Sequence, residues 1–542
     1  MEQDPVLSRI GNFGKWQART ISCFSLIGFF LGWQMLAPSI MVPEVDYWCS
    51  PLELGLAKGE RVNWTSPEII GDQNEKKIDH CKVLDVDYSE TLEQPLILAT
   101  IAEREQSATR PCERWDYDRT TWPETVVSQF NLVCDKEYWR SLSQSLYMLG
   151  IMIGSFGSGI LSDMYGRKKL TLIGATGQLI FGIAVAFSPS IEVFTVLRMC
   201  VAVCSISMFT CGYVYCMEII GGKWGTYVGI GLEIPWSFAY MLLPVMSWAF
   251  PSWNHFQLSV TLPIVLIIIL IAIPGMAPES PKWLIIQGRI EEAETILKTA
   301  EKMNGIQVIN TENERSRKEK IAHSSNVLDL FKSPGLRRST LIMYYLFFTN
   351  SFVYYGLTLN SGKLIPGDLH VNIIVSAIFE ILANLLTIVA FIYIGRKISV
   401  FVSMLIGGIT LLITPMVSAI IAKTVLAQIG RFAITGSFSM VFVYAVEIFP
   451  TAVRNVGLGS SSTWARVGGV IAPYIGRELG KQSPAAPLII FGVTSIIASI
   501  LVLILPETKN ITLPDTIQEG EIFNRDNGGF LFWKKKTATS GI

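Results

Sequence analysis

The sequence predicts an all-α protein built for a membrane, with twelve spanning helices in two six-helix halves of the same orientation and one large disulfide-bonded loop outside. Three observations carry this. Of 542 residues, 50% are hydrophobic and only 16% charged, against about 25% charged in soluble proteins, and the mean hydropathy is +0.42. Apolar runs near the roughly 20 residues needed to cross a bilayer recur along the chain. Three short motifs repeat at an almost constant offset. The formal charge is zero, from 44 basic and 44 acidic residues. That removes the basis for nucleic-acid binding, which needs excess Lys and Arg.

In order, a polar cytoplasmic segment, 1–20, precedes the first run over 21–42, which is long enough to span and lacks the small-residue cleavage site of a signal peptide. Five more spans follow over 138–161, 170–187, 193–219, 227–249 and 256–276, closing a first half over 21–276. A polar linker, 277–338, is expected to hold amphipathic helices. The second half, 339–505, contains spans over 339–359, 371–394, 398–419, 425–448, 456–475 and 487–505, and the tail is 506–542.

The loop over 43–137 carries Cys49, Cys81, Cys112 and Cys134 beside the sequon Asn63-Trp64-Thr65. An even cysteine count next to a glycosylation site predicts an oxidising, extracellular loop with two bridges, of which three pairings are open. Basic residues gather instead in the linker, at Arg315, Arg317, Lys318, Lys320, Arg337 and Arg338, and in the turns Gly166-Arg167-Lys168-Lys169 and Gly395-Arg396-Lys397. By the positive-inside rule these face the cytoplasm, and so do both termini.

Gly166-Arg167-Lys168 returns as Gly395-Arg396-Lys397, Val214-Tyr215-Cys216-Met217-Glu218 as Val443-Tyr444-Ala445-Val446-Glu447, and Pro278-Glu279-Ser280 as Pro506-Glu507-Thr508, at offsets of 229, 229 and 228 residues. The shift maps helices 2–6 onto helices 8–12 without inversion. Parallel six-helix repeats build the major facilitator fold, which holds substrate near the midplane between its halves. The run Gly159-Ile160-Leu161-Ser162-Asp163-Met164-Tyr165-Gly166-Arg167-Lys168 resembles that superfamily's signature between helices 2 and 3, its glycines permitting close helix approach. The second copy has Ile392 in place of the acid.

A closer resemblance rests on Ile10-Gly11-Asn12-Phe13-Gly14, Trp115-Asp116-Tyr117-Asp118, Phe130-Asn131-Leu132-Val133-Cys134-Asp135, Phe352-Val353-Tyr354-Tyr355-Gly356-Leu357, Pro278 to Leu284, Glu447 to Gly457 and Leu505 to Pro514. These segments are similar to the organic ion transporters of the major facilitator superfamily, from before helix 1 to beyond helix 12. The resemblance implies a plasma-membrane carrier of small organic cations, zwitterions such as carnitine, or organic anions.

Subfamily residues are mixed. The helix 11 acid of cation-selective members is Arg466 here, and a second acid of theirs, in helix 2, is Ser141. Arginine in helix 11 resembles the anion and carnitine carriers, yet the helix 8 lysine of anion carriers is Asn384. Intramembrane ions are expensive and point to function. Arg466 presents a fork that grips carboxylate, or else closes an interhelical salt bridge. Glu380 in helix 8 and Glu233 in helix 5 are either ligands of a cationic group or partners in packing and neutralisation. Both signs in one site suit a zwitterion. By resemblance, Gln144, Phe209, Tyr213, Phe347, Tyr354, Ser439 and Phe442 are the remaining cavity candidates, since aromatic faces attract ammonium by about 0.5–2 kcal/mol.

The repeated charges read as a cytoplasmic gate. Asp163, Glu218, Glu279, Glu447 and Glu507 are expected to meet Arg167, Arg396 and Arg454 in the outward-facing state. No enzyme chemistry stands out. Gly476 to Gln482 falls one residue short of a phosphate loop and lacks its Ser/Thr. His80, His255, His323 and His370 are too scattered for a zinc pair, and the five other cysteines lie in spans. No cofactor or metal is expected. The partners are the lipid bilayer and a small organic ion, with sodium coupling or a counter-substrate left open. Two further readings are an organic anion exchanger led by Arg466, and a receptor that binds through the loop over 43–137 without transport.

Overall fold

A computed structural model describes residues 5–50, 66, 68–70, 76–84, 109–120, 122–221, 224–306, 327–359, 368–450, 453–480, 483, 485–509, 514 and 517–527. The sequon at Asn63 and the linker cations Arg315, Arg317, Lys318 and Lys320 lie outside them. The first half comprises α1 (Lys15–Leu36), α2 (Tyr138–Tyr165), α3 (Arg167–Ala186), α4 (Ile191–Glu218), α5 (Ile234–Ala249) and α6 (Trp253–Ala272). The second comprises α7 (Pro334–Leu359), α8 (Leu369–Tyr393), α9 (Arg396–Ile413), α10 (Ile420–Ile448), α11 (Arg454–Tyr474) and α12 (Ala485–Val502).

Ten helices among the described residues are long and apolar enough to cross a membrane. The other two expected spans coincide with α7 and α11, whose 26 and 21 residues are also sufficient in length but more polar. Their surroundings account for that. They pack on one another, and α7 is buried without a break from Thr349 to Leu359, so much of its surface meets protein and can carry Thr349, Asn350 and Ser351.

Helix α5 is interrupted at its start. Pro235 lacks an N–H and fixes its own φ, so a helical piece, Trp224–Gly231, stops before it and α5 begins afresh at Ile234. Glu233 occupies the break.

Among its described residues the loop holds three two-stranded antiparallel sheets: β1 (Tyr47–Cys49) with β6 (Trp115–Tyr117), β2 (Glu68–Ile70) with β3 (Lys76–Ile78), and β4 (Lys82–Leu84) with β5 (Thr109–Pro111). Of the three pairings open from sequence, the interleaved one forms, Cys49–Cys112 and Cys81–Cys134. The second bridge ends just before α2 and ties the loop to that helix. Cys81→Ser opens a closure spanning 53 residues, worth roughly 4 kcal/mol by chain entropy. A lower unfolding midpoint of the purified variant under non-reducing conditions is the expected result.

On the face carrying this loop the two halves touch. The Ser145 hydroxyl on α2 donates to the Val470 carbonyl on α11 at 2.7 Å. The His370 ring at the start of α8 stacks between Trp122 of the loop and Trp248 of α5, with centroids 5.1 and 5.5 Å away. On the opposite face each half carries an amphipathic helix. Ile290–Asn304 is held by Arg9, which donates to Glu294 at 2.6 Å and Glu301 at 2.7 Å. Ile517–Asn527, in what the sequence gives as a tail, docks beneath α7, with Glu521 accepting from the Gly335 N–H at 2.8 Å. The hydrogen bond from Glu294 raises the Arg9 pKa above its ordinary value, burial opposing and Glu301 assisting. A raised cation contributes its stability below the unfolded-state pKa and loses it only as pH climbs past the folded one. For Arg9 that lies above the physiological range.

Candidate functional site

A central cavity of about 100 Å³ lies between the halves, lined from α1, α2, α4 and the α5 break on one side and from α7, α8, α10 and α11 on the other. Seven of the ten expected site residues line it: Phe209, Glu233, Tyr354, Glu380, Ser439, Phe442 and Arg466. Its aromatic wall is continuous on the second half, where Phe438 stacks on Tyr354 at 6.0 Å and meets Phe442 at 5.5 Å.

Glu380 is the best-satisfied charge in the wall. It is 4% exposed and accepts hydrogen bonds from Ser237 of α5 at 3.2 Å and Tyr354 of α7 at 3.1 Å. Its ionic partner is Arg431 of α10, at 3.7 Å. Arg431 in turn donates to the Tyr240 hydroxyl at 3.2 Å and lies 4.8 Å over that ring. Trp236 donates to the Tyr354 hydroxyl at 3.1 Å. Three residues of α5, Trp236, Ser237 and Tyr240, therefore bind groups of the other half through one buried network.

Arg466 is not the partner of Glu380. It lies beside the Tyr355 hydroxyl, and its Nε is buried without a hydrogen-bond partner. Glu233 lies within electrostatic reach of both Arg466 and Glu380, but among the described residues no ion pair joins it to Arg466. With Glu380 neutralised by Arg431, the cavity retains one carboxyl group, Glu233, and one guanidinium group, Arg466, that are not locked together.

The face opposite the loop carries two matching clusters. Arg167 pairs with Glu218 at 2.9 Å and with Asp163 at 2.8 Å, while Glu279 accepts from the backbone N–H groups of Arg167 and Lys168 at 2.9 and 3.0 Å. In the second half Arg396 pairs with Glu447 at 3.0 Å, and Glu507 accepts from the N–H groups of Arg396 and Lys397 at 3.0 and 3.2 Å. Ser280 bonds to Glu218, and Thr508 to Glu447. Each carboxylate at a helix start meets exposed N–H groups and the positive end of the helix dipole.

The pattern described as "Sugar (and other) transporter" matches residues 101–518. The organic cation transporter protein of Drosophila melanogaster is 33% identical, over 97% of this chain and 95% of its own length. The chain belongs to the organic ion transporter family of the major facilitator superfamily. The human organic cation/carnitine transporter 2 is 36% identical over 75% of this chain and 73% of its own. Among solved structures, the xylose transporter XylE from E. coli in a partially occluded inward open conformation covers 92% of this chain and 100% of its own, with a TM-score of 0.59. At 15% identity that likeness shows the fold.

Within this carrier, three expected site residues fall elsewhere. Gln144 lines a separate small cavity toward the loop face, because it lies too near the start of α2 to reach the centre. Phe347 is fully buried and packs edge-on to Phe442 at 4.8 Å, one layer behind the cavity wall. Tyr213 lies beyond Phe209, 6.1 Å ring to ring, with its hydroxyl toward Gly229 in the helical piece before α5. The gate expectation also changes. The acids and arginines already pair while the loop face is shut, and each pair belongs to a single half, because the α2–α3 or α8–α9 turn converges with the end of α4 or α10 of its own bundle. Arg454 donates to the Phe449 carbonyl at 3.3 Å.

Sequence reasoning missed Trp236, Phe438 and Arg431. Trp236 stands three residues after Glu233, on the same helical face. Arg431 is a lone charge well inside a 29-residue helix, the same signal that picked out Arg466. Arg198 on α4 carries that signal too. It bonds to the Gln34 carbonyl at 3.1 Å and lies 4.6 Å over the Tyr147 ring, inside the first half.

Proposed function

We propose that this protein is a plasma-membrane carrier of small organic zwitterions and cations, with the loop outside, both termini inside, and substrate reaching the central cavity by alternating access. The observation that carries the proposal is the open pair, Glu233 and Arg466, in an aromatic-walled cavity at the seam of two halves. An ammonium group would face Glu233 and the rings of Tyr354 and Phe442, and a carboxylate the Arg466 fork. The closed loop face then corresponds to a state shut toward the outside. The name of the human relative includes carnitine, which has both groups. A net cation would be driven by the membrane potential, about 2.3 kcal/mol per charge per 100 mV. A zwitterion gains nothing from that potential and would travel by exchange or with a coupling ion.

The test is proteoliposome uptake of carnitine, a quaternary ammonium and an organic dicarboxylate. A charged hydrogen bond is worth about 1.5–3 kcal/mol, so Arg466→Asp is expected to lower carnitine uptake by about 10- to 150-fold while sparing or raising that of the quaternary ammonium. Unchanged carnitine uptake would remove Arg466 from the site. Preference for the dicarboxylate in the parent protein would make it an anion exchanger, and binding without flux would make it a receptor.

A further inference from the structure

The second cavity, of about 10 Å³, lies in the seam on the loop face, outside the central site. That is room for about one water-sized sphere. Both halves contribute to it, Arg140 and Gln144 from α2 and Arg477 from the turn after α11. The polar groups that converge there are donors. Arg140 Nε, Gln144 Nε2 and Arg477 Nη1 are each buried without a hydrogen-bond partner, and Arg140 and Gln144 are only 7% and 6% exposed. The one hydroxyl in the wall, Ser143, is engaged with the Arg140 carbonyl at 3.2 Å.

Arg140 and Arg477 stand near enough to repel each other. Glu44, Glu137 and Glu478 lie within electrostatic reach of the pair, and Ser141 donates to Glu478 at 3.4 Å. These carboxylates leave the three N–H groups unmet. Unmade bonds of buried donors are costly, those of charged groups most of all. Because α2 and α11 belong to opposite halves, the three donors share a cavity only while the loop face is shut.

We infer that this seam binds a small monovalent anion, a halide ion or the carboxylate of a passing substrate, which bridges Arg140, Gln144 and Arg477 and holds the loop face closed. The inference concerns a site apart from the central cavity, and a ligand of the closed state alone favours that state by mass action.

The first measurement needs no transport. Purified protein is heated in sodium chloride and in sodium methanesulfonate of equal ionic strength. If the anion is a halide, chloride is expected to raise the unfolding midpoint by about 2 to 4 °C. Arg477→Gln should erase that difference, and so should Gln144→Glu, which supplies a carboxylate from within and serves should the first variant fail to fold. Proteoliposome uptake of a quaternary ammonium should then change with chloride in the parent protein and in neither variant. If the anion is instead a substrate carboxylate, the midpoint ignores chloride, while Arg477→Gln lowers carnitine uptake several-fold and spares the quaternary ammonium. Indifference of the midpoint to chloride, together with equal uptake of both substrates by parent and Arg477→Gln, would overturn the inference.

Discussion

Glu380→Gln is expected to abolish uptake and to destabilise the protein by about 3–5 kcal/mol, because it leaves the Arg431 guanidinium, 2% exposed, as an uncompensated charge inside the membrane. The size of the effect follows from the network. Ser237 and Tyr354 bond to different carboxylate oxygens, at 3.2 and 3.1 Å; Gln keeps an oxygen for one of them and turns an amide N–H to the other, whose hydroxyl oxygen can accept it, so the main loss is that of the ion pair. A second variant separates stability from function. Glu380→Gln combined with Arg431→Gln removes both charges and is expected to recover most of the lost thermal stability, since a buried pair is often close to neutral against uncharged replacements. Uptake is not expected to return, because α5 would lose the Arg431 to Tyr240 link between the halves. A wild-type unfolding midpoint for the single variant would show that Arg431 is compensated by some other group.

Gly166→Ala has the second largest expected effect. Gly166 stands at φ 100° and ψ 157°, a region that residues with a Cβ essentially do not enter. An added Cβ would also lie 2.5 Å from Glu279 Oε2, displacing the carboxylate that accepts from the start of α3. Backbone strain of about 1–3 kcal/mol and weakened charged hydrogen bonds of about 1.5–3 kcal/mol together predict a loss of about 3 kcal/mol or more. Gly395→Ala, at φ 118° with Glu507 Oε2 at 2.9 Å, should behave in the same way. Gly159→Ala, from the same motif, is the internal control. No atom of a neighbouring helix lies within 4 Å of its Cβ position, so the close helix approach expected there from sequence is absent, and helix propensity predicts a gain of up to about 1 kcal/mol. Unfolding midpoints of the three variants in one detergent would test the contrast.

The two-half architecture was legible because its signals are local and repeated. Apolar runs set the spans, and a shift of 229 residues aligned Arg167 with Arg396 and Glu218 with Glu447. The central site was legible where a residue type is costly in lipid, as with Glu233, Glu380 and Arg466. Pairing was not legible. Glu380 could be matched to Arg466 on charge alone, and only the packing of α8 on α10 gives it Arg431. Depth was equally hidden. Gln144 and Phe347 sit in the right helices but too near the loop face or one layer behind the wall, since the sequence names the helix and the packing sets its height and rotation. The gate motif revealed its partners but not that each group of partners stays in one bundle.

That confinement has a mechanical consequence. Each arginine cluster is complete within its own half, so rocking one bundle against the other need not break an Arg167 or Arg396 pair. The energy difference between the two rocked states must come from the seams, chiefly the few hydrogen bonds from α5 to α7, α8 and α10 and the contact of α2 with α11. A handful of bonds, each worth about 0.5–1.5 kcal/mol net, is comparable to the roughly 5.5 kcal/mol that turns a 1:99 population into 99:1. On the proposed alternating access, the halves would turn as two bodies about these seams, within reach of the binding energy of a single small ion.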